Sequence, residues 1–306
     1  MTQNELIARL DKVEQIACAS KLQRMLHNPY KYLYAIFYRN FIYAKNKAEK
    51  VVDAPLFFGK SMRIALPAST DIYLTGGKSH ASEIRLARFL VLNLGAGAHF
   101  LDIGAHYGYF TMLAAALTGA SGRITAFEPA TKTYRLLAEN TKSLGSITIF
   151  NKAVSDTEEP LTFYEFPNLY SEYNSSDVAQ FEQEDWFKDA HPVKHTVEAT
   201  TIDTITAAGD FSPQLIKIDV EGAEQQVIQG GLHFLNHHTP AVVMEYLEPG
   251  RSNESHKKAA EMMQAMGYDK YIIARDGSLQ PVTDIDGYLL SEKLESDNVV
   301  FKKPQA

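Results

Sequence analysis

The sequence predicts an α/β fold, a mostly parallel seven-stranded sheet with helices on both faces, preceded by an N-terminal helical extension. Three observations predict it. Short apolar runs alternate with segments of helical periodicity over the greater part of the chain. A glycine turn, Asp102-Ile103-Gly104-Ala105-His106-Tyr107-Gly108, follows one of these runs and opens a helix. An acid, Glu128, ends the next run.

The 306 residues, 45% hydrophobic and 22% charged, suffice for one large α/β domain and an appendage. A formal charge of -7 gives no general attraction to phosphate backbones and argues against nucleic acid as a partner. Cys18 is the one cysteine, which excludes an internal disulfide, and no Cys/His cluster has zinc-site spacing; both fit a reducing cytoplasm. The N-terminal residues carry acids and no apolar core, and no run of about 18 apolar residues occurs. The expectation is therefore a protein neither secreted nor membrane-spanning.

Residues 1–55 read as the helical extension. From Leu22 to Lys47 aromatics interleave with Lys and Arg, which suits either a helix pair packed on the main domain or on a second subunit, or peripheral contact with a membrane or a lipid-linked substrate. The main domain is expected over 56–306. It begins with short β-like runs punctuated by Pro55, Gly59, Pro67 and Gly76-Gly77. The Gly76-Gly77-Lys78-Ser79 segment lacks the first glycine of a phosphate loop, with Ile72 in its place, so an ATP site is excluded. A helix near 82–94 follows, then strand and helix alternate through HFLDIG, GYFTMLAAALTG, RITAFEP, TKTYRLLAENTKSL and ITIFNKAV. After a polar, aromatic-rich interval at 156–198 the alternation resumes with QLIKIDV, PAVVMEY and a last β pair near YIIAR and NVVFKK. The interval is too long for an ordinary connection and reads as a hairpin excursion or an acceptor-binding lid.

The glycine turn sits where a nucleoside cofactor meets the backbone. Gly104 would take the sharp bend and Gly108 would let the helix start pack closely, with Ala105, Tyr109 and Thr111 around them. A dinucleotide site needs a glycine where His106 stands, because two phosphates require close backbone approach there, so a nicotinamide-dependent oxidoreductase is the disfavoured alternative. A cofactor without phosphates tolerates His106. Asp102 would then offer an anion to the ammonium group of S-adenosylmethionine, and Glu128, with Pro129 after it, would accept the ribose hydroxyls. Ala153, just past the third strand, would edge the adenine. Either acid alone reads equally well as a helix cap.

Here the sequence resembles the FkbM family of methyltransferases, from about Leu56 to Lys302, through DIGAHYGYFT, AFEP, NKAVSD, TTIDTI at 200–205, Lys217-Ile218-Asp219-Val220-Glu221-Gly222-Ala223-Glu224 and PAVVMEY. The family often has Asn where this chain has His106. The resemblance implies a class I methyltransferase, Rossmann-like fold, S-adenosylmethionine as donor, and O-methylation of a sugar, glycan or natural-product hydroxyl. A binding module that keeps the cofactor cleft without turnover is the other alternative.

Catalysis is expected where the fourth strand ends. Lys217 and Asp219, two apart, share a side of that strand, and Asp219 is the leading proton acceptor, with Glu221 beside it. Lys217 could equally pair with a neighbouring acid, and Glu221 could cap the next helix. Asp219, Glu221 and Glu245 could instead hold a divalent cation, a route not favoured over direct base catalysis. His80 and His106 are further candidate bases. Glu83 is placed toward the cofactor cleft, and His80, Tyr170, Ser175 and Glu245 toward the acceptor. A homo-oligomer is compatible with these features.

Overall fold

A computed structural model describes residues 1–304 apart from 177, 179–180, 182–185 and 208. Three helices open the chain, α1 (Gln3–Cys18), α2 (Lys21–His27) and α3 (Pro29–Phe37). Thr2 and Glu5 form a capping box at the start of α1, and Leu6, Leu10 and Val13, one helical turn apart, are buried in the main core. Arg88 fixes α1 from below, donating to Asp11 (2.7 Å) and Glu14 (2.8 Å). The lead-in is the antiparallel pair β1 (Lys50–Pro55) and β2 (Ser61–Leu66), followed by α4 (Thr70–Thr75) and α5 (Ala81–Asn93).

The alternating section then delivers β3 (His99–Ile103), α6 (Tyr109–Thr118), β4 (Arg123–Phe127), α7 (Thr131–Thr141) and β5 (Ile147–Phe150). The interval at 156–198 carries the antiparallel pair β6 (Leu161–Glu165) and β7 (Val193–Val197). At its base Ala153–Val154 pairs in parallel with Ala199–Thr200, so the chain leaves and returns at neighbouring points. The interval is a hairpin excursion with its own small core: Phe166, Phe181 and Ala190 are buried, with Tyr170, Tyr173 and Trp186 packed against them. The residues at 177, 179–180 and 182–185 of the expected lid lie outside the described ones.

The second half supplies β8 (Leu215–Ile218), α8 (Glu224–Gln229), α9 (Leu232–His238), β9 (Ala241–Leu247), α10 (Glu254–Ala265), β10 (Asp269–Ile273), β11 (Leu279–Pro281), α11 (Ile285–Glu292) and β12 (Ser296–Lys302). The sheet runs β11-β10-β12-β9-β8-β3-β4-β5. The five strands from β9 to β5 are parallel; β12 inserts antiparallel between β9 and β10. The sheet therefore has eight strands, not the seven expected. The extra one, β11, is a three-residue edge strand folded back on β10 and ending in Pro281, too short to show alternation in sequence and placed where proline costs no ladder bond.

Alternate residues of each strand serve opposite faces. Phe100, Leu215, Val243 and Val300 join α1, α5 and α6 in one core; Leu101, Ile216, Val242 and Val299 join α8 to α11 in the other. Both faces are thus covered by helices. The chain builds outward from β3 to β5 and then returns to β8 on the other side of β3, so strand order reverses between β3 and β8. A ligand crevice is expected beyond their carboxyl ends.

Candidate active site

At the end of β3 the turn is stitched to the neighbouring strand, because the amides of Gly104 and Ala105 both donate to the Phe127 carbonyl (3.0 Å each). Gly104 has φ +78, and a Cβ on it would run into the carbonyl oxygen of Asp219 at the end of β8. The glycine is thus demanded by the adjoining strand end. His106 follows at φ +49, a left-handed conformation that His adopts more readily than most residues. At Gly108, φ +91, a Cβ would sit 2.6 Å from the Leu137 side chain, so α6 starts in contact with α7, as the turn pattern predicts.

Beyond these strand ends lies a cavity of about 360 Å³, roofed by the 156–198 excursion. Glu128, Pro129, Ala153 and Val154 line one wall, with Ile103, Gly104, His106 and Phe127 at the turn; Asp219, Glu221 and Glu245 line the other, and His80 and Glu83 reach it from the start of α5. Ten of the residues expected in the site therefore share one space.

Glu128 is buried, and each carboxylate oxygen accepts one backbone amide: Oε2 from His106 (2.9 Å) and Oε1 from Ala130 (2.9 Å). It braces the glycine turn and the start of α7 together, so capping and cofactor readings converge on one side chain. Burial pushes its carboxyl up to about 7, against the pull of both amides. Asn151 donates to the carbonyls of Glu128 (2.8 Å) and Pro129 (2.9 Å) and holds that strand end in place. His106 lies against Tyr107 and within 3.2 Å of the Ser171 hydroxyl; burial takes its imidazole down to about 4, so it is neutral at pH 7.

The opposite wall is crowded with acid. Ligand atoms of Asp219, Glu221 and Glu245 lie within 4.8 Å of one another. Burial raises the Glu245 carboxyl to about 8, with Asp219 adding to it, and burial together with Glu245 and Asp219 holds Glu221 well above the usual carboxylate range. Three carboxylates this close do not all ionise at neutral pH. Glu221 is set in the left-handed region, φ +54, and its carbonyl accepts the Ser175 hydroxyl (2.5 Å).

Several expected site residues sit elsewhere. Asp102 does not reach the cavity: it pairs across the sheet with Lys217, is fully buried, and accepts from Thr111 (2.6 Å). Lys217 is likewise buried, donating to the Gly104 carbonyl (2.9 Å) and lying 3.4 Å from Asp102 and 3.3 Å from Asp219. Burial works against its charge, yet Asp219 and Asp102 outweigh it and hold the ammonium above its ordinary value. Lys217 is thus a lock beneath the turn, with Asp102 and Thr111 in the same network, and does not line the cavity. Ala105, Gly108 and Tyr109 also support the turn from outside the cavity, Tyr109 packing on Phe58 and Phe110. Tyr170 stacks on Trp186 (4.7 Å) in the excursion's own core, and Ser175 is buried and spent on the Glu221 carbonyl, so Tyr173, Asn174 and Ser176 line the cavity instead.

Sequence reading missed Lys78 and Glu172. Lys78, in the rejected phosphate-loop look-alike, bridges Glu83 (2.9 Å) and Glu172 (2.7 Å) at the rim. Burial opposes the charge on Glu172, but Lys78 outweighs it and takes the carboxyl down to about 2. Glu83 is therefore tied into an ion-pair bridge. The signal was lost because its partners lie far apart in the chain, Lys78 and Glu172 being 94 positions apart.

The methyltransferase FkbM domain model matches residues 102–270, more than half of the chain and both walls of the cavity. The chain belongs to that family. The eight-stranded sheet is accordingly a class I methyltransferase fold with an added edge strand. Among solved structures the chain is similar to methyltransferase FkbM from Methylobacillus flagellatus KT, with 15% identity, TM-score 0.43, and coverage of 76% of this chain and 52% of that one. It thus spans about half the length of that protein. It is also similar to Aeropyrum pernix fibrillarin in complex with S-adenosyl-L-methionine (14% identity, 71% and 74% covered, TM-score 0.41). A third likeness is to a SAM-dependent O-methyltransferase from Thermotoga maritima (11%, 84% and 78%, TM-score 0.39). No curated protein matches.

Proposed function

We propose that the protein transfers a methyl group from S-adenosylmethionine to a hydroxyl of a sugar, glycan or related small molecule. The observation that carries this reading is a single cavity bounded on one side by Glu128 at the end of β4 and on the other by Asp219, Glu221 and Glu245. The residues fit the donor. Glu128 keeps a lone pair on each oxygen for the ribose hydroxyls after its two amide bonds, Ile103, Phe127 and Val154 offer apolar surface to the adenine, and the carboxyl oxygens of the acid wall offer lone pairs toward the sulfonium.

S-adenosylmethionine supplies an already activated methyl group, so the protein's work is to position the acceptor and receive its proton. Positioning is worth roughly 7 to 11 kcal/mol and a placed base a further 10² to 10⁴-fold. Asp219, with Lys217 at 3.3 Å to compensate its charge, is the proton acceptor; Glu245, protonated near neutral pH, donates a hydrogen bond to an acceptor oxygen, with Glu221, its carboxyl raised by burial and by its neighbours, beside it. Tyr173, Asn174 and Ser176 from the excursion give the acceptor end stacking and polar contacts.

The clustering of three carboxylates favours one variant of this reading, in which a divalent cation bound by Asp219, Glu221 and Glu245 acidifies the acceptor hydroxyl. A labelled-methyl transfer screen over sugars, glycans and nucleotide sugars, with and without chelator, tests both. Label on a carbohydrate oxygen that survives chelation supports direct base catalysis, and loss restored by a divalent cation supports the cation. Label that reaches only nitrogen or carbon acceptors contradicts the proposal.

A further inference from the structure

A helix in a water-soluble fold normally hides one face and wets the other, and α3 does not follow that rule. Its inner face is satisfied: Ala35 is buried, Tyr38 and Tyr43 of the π-type turn that follows (Tyr38–Tyr43) pack with Leu66, and Tyr34 joins them. Its outer face is apolar as well. Leu33 and Phe37 lie one turn apart, Phe41 follows at the same spacing, and the Phe37 and Phe41 rings stack at 5.3 Å in the open. Tyr30 at the head of α3 is 87% exposed, and Leu22 and Leu26, one turn apart on α2, are 61% and 68% exposed. Scattered exposed apolar residues are ordinary; seven of the twelve large exposed hydrophobics among the described residues falling within twenty consecutive positions is not.

Charge decides what covers them. Residues 21–50 hold seven Lys and Arg against one acid, Glu49, a net +6 in a chain whose total is -7. The remainder is therefore strongly acidic, and this segment is its basic pole. Lys21, Arg39, Lys45, Lys47 and Lys50 are exposed, and among the described residues none of them is in an ion pair. Large apolar side chains flanked by exposed cations without a carboxylate partner match the interfacial region of an anionic bilayer, with acyl chains below and phosphates above. A second copy of the chain matches less well, because a symmetric contact would bring two sets of like charges together.

We propose that α2, α3 and the turn after them dock the protein on an anionic lipid surface. The inner side of the same segment reaches the excursion beside the site: the Tyr43 hydroxyl accepts the Leu169 amide (3.3 Å), two residues before Ser171, Glu172 and Tyr173 of the cavity wall. Docking places that wall close to the bilayer, where a membrane-embedded acceptor would present its polar head.

Co-sedimentation of the full chain with phosphatidylcholine vesicles, with and without phosphatidylglycerol, tests the proposal. Binding is expected only with phosphatidylglycerol, and it falls at least about tenfold when salt is raised to about 0.5 M. Leu26→Ser, Leu33→Ser, Phe37→Ser and Phe41→Ser combined abolish binding. Should that variant not fold, the charge reversal Lys21→Glu, Arg39→Glu, Lys45→Glu and Lys47→Glu, confined to exposed positions, gives the same loss. Wild-type protein that stays in the supernatant overturns the proposal, as does charge-reversed protein that still sediments. It is equally overturned by sedimentation velocity showing a wild-type dimer that the serine variant turns into a monomer, since the patch then serves self-association.

Discussion

The two walls of the cavity hold their carboxylates in opposite ways. On the β4 side Glu128 stands alone, each oxygen fixed by a backbone amide, and it cannot move without disturbing the glycine turn and α7. On the β8 and β9 side Asp219, Glu221 and Glu245 crowd one another and compete for protons, with Lys217 3.3 Å from Asp219 beneath them. A carboxylate satisfied by amides is a rigid hydrogen-bonding fixture, suited to binding. Carboxylates that share protons near neutral pH are suited to moving one. On the proposed reading the cavity separates binding from proton handling along the sheet.

The largest effect separating the walls is expected for Asp219→Asn, which keeps the shape and removes the proposed proton acceptor. Turnover in the labelled-methyl assay should fall by roughly 10² to 10⁴-fold. A variant with full turnover would remove Asp219 from the chemistry. Gly104→Ala attacks the joint between the walls, because the added methyl meets the Asp219 carbonyl at a positive φ. A loss of about 3 kcal/mol or more is expected in chemical denaturation, and an unchanged midpoint would show that the strand ends are not in contact.

A gentler probe is pH. The folded-state carboxyls of Glu128 (about 7), Asp71 in the first turn of α4 (about 7, raised by burial) and Glu245 (about 8) lie above their ordinary values of 4.5, 3.8 and 4.5, so the folded protein holds protons that the unfolded chain releases. Stability of the ligand-free protein therefore falls as pH rises through those values. His106, taken down to about 4, works in the opposite direction below its ordinary 6.5, which leaves pH 6.5 to 8 as the clean window. The melting temperature should fall across that window, and Glu245→Gln should flatten the slope. A rising melting temperature would contradict the protonated state assigned to the acid wall.

The rigid wall was largely legible in the sequence. The alternation of runs, the turn from Asp102 to Gly108 and Glu128 after the next run placed β3, β4 and their joint correctly, since these are local patterns. Gly104 was marked for the right conformation, although the carbonyl that demands it belongs to a strand 115 positions later. What local pattern could not give was direction. Asp102 and Lys217 sit opposite each other on adjacent parallel strands, and only that register turns both inward, to each other, instead of toward the cavity. Lys78 and Glu172 were invisible for the same reason. The excursion was recognised by its length and composition, but composition does not reveal that Tyr170 belongs to its core while Tyr173 also faces the cavity.

Calorimetric titration of S-adenosylmethionine into wild type, Glu128→Ala and Asp219→Asn, side by side, tests the division between the walls most directly. The account predicts binding to wild type and to Asp219→Asn with affinities within a few fold of each other. For Glu128→Ala it predicts binding weaker by about tenfold or more, the loss of two hydrogen bonds from the ribose hydroxyls. Equal affinity of folded Glu128→Ala and wild type, or wild type that does not bind S-adenosylmethionine, would contradict it.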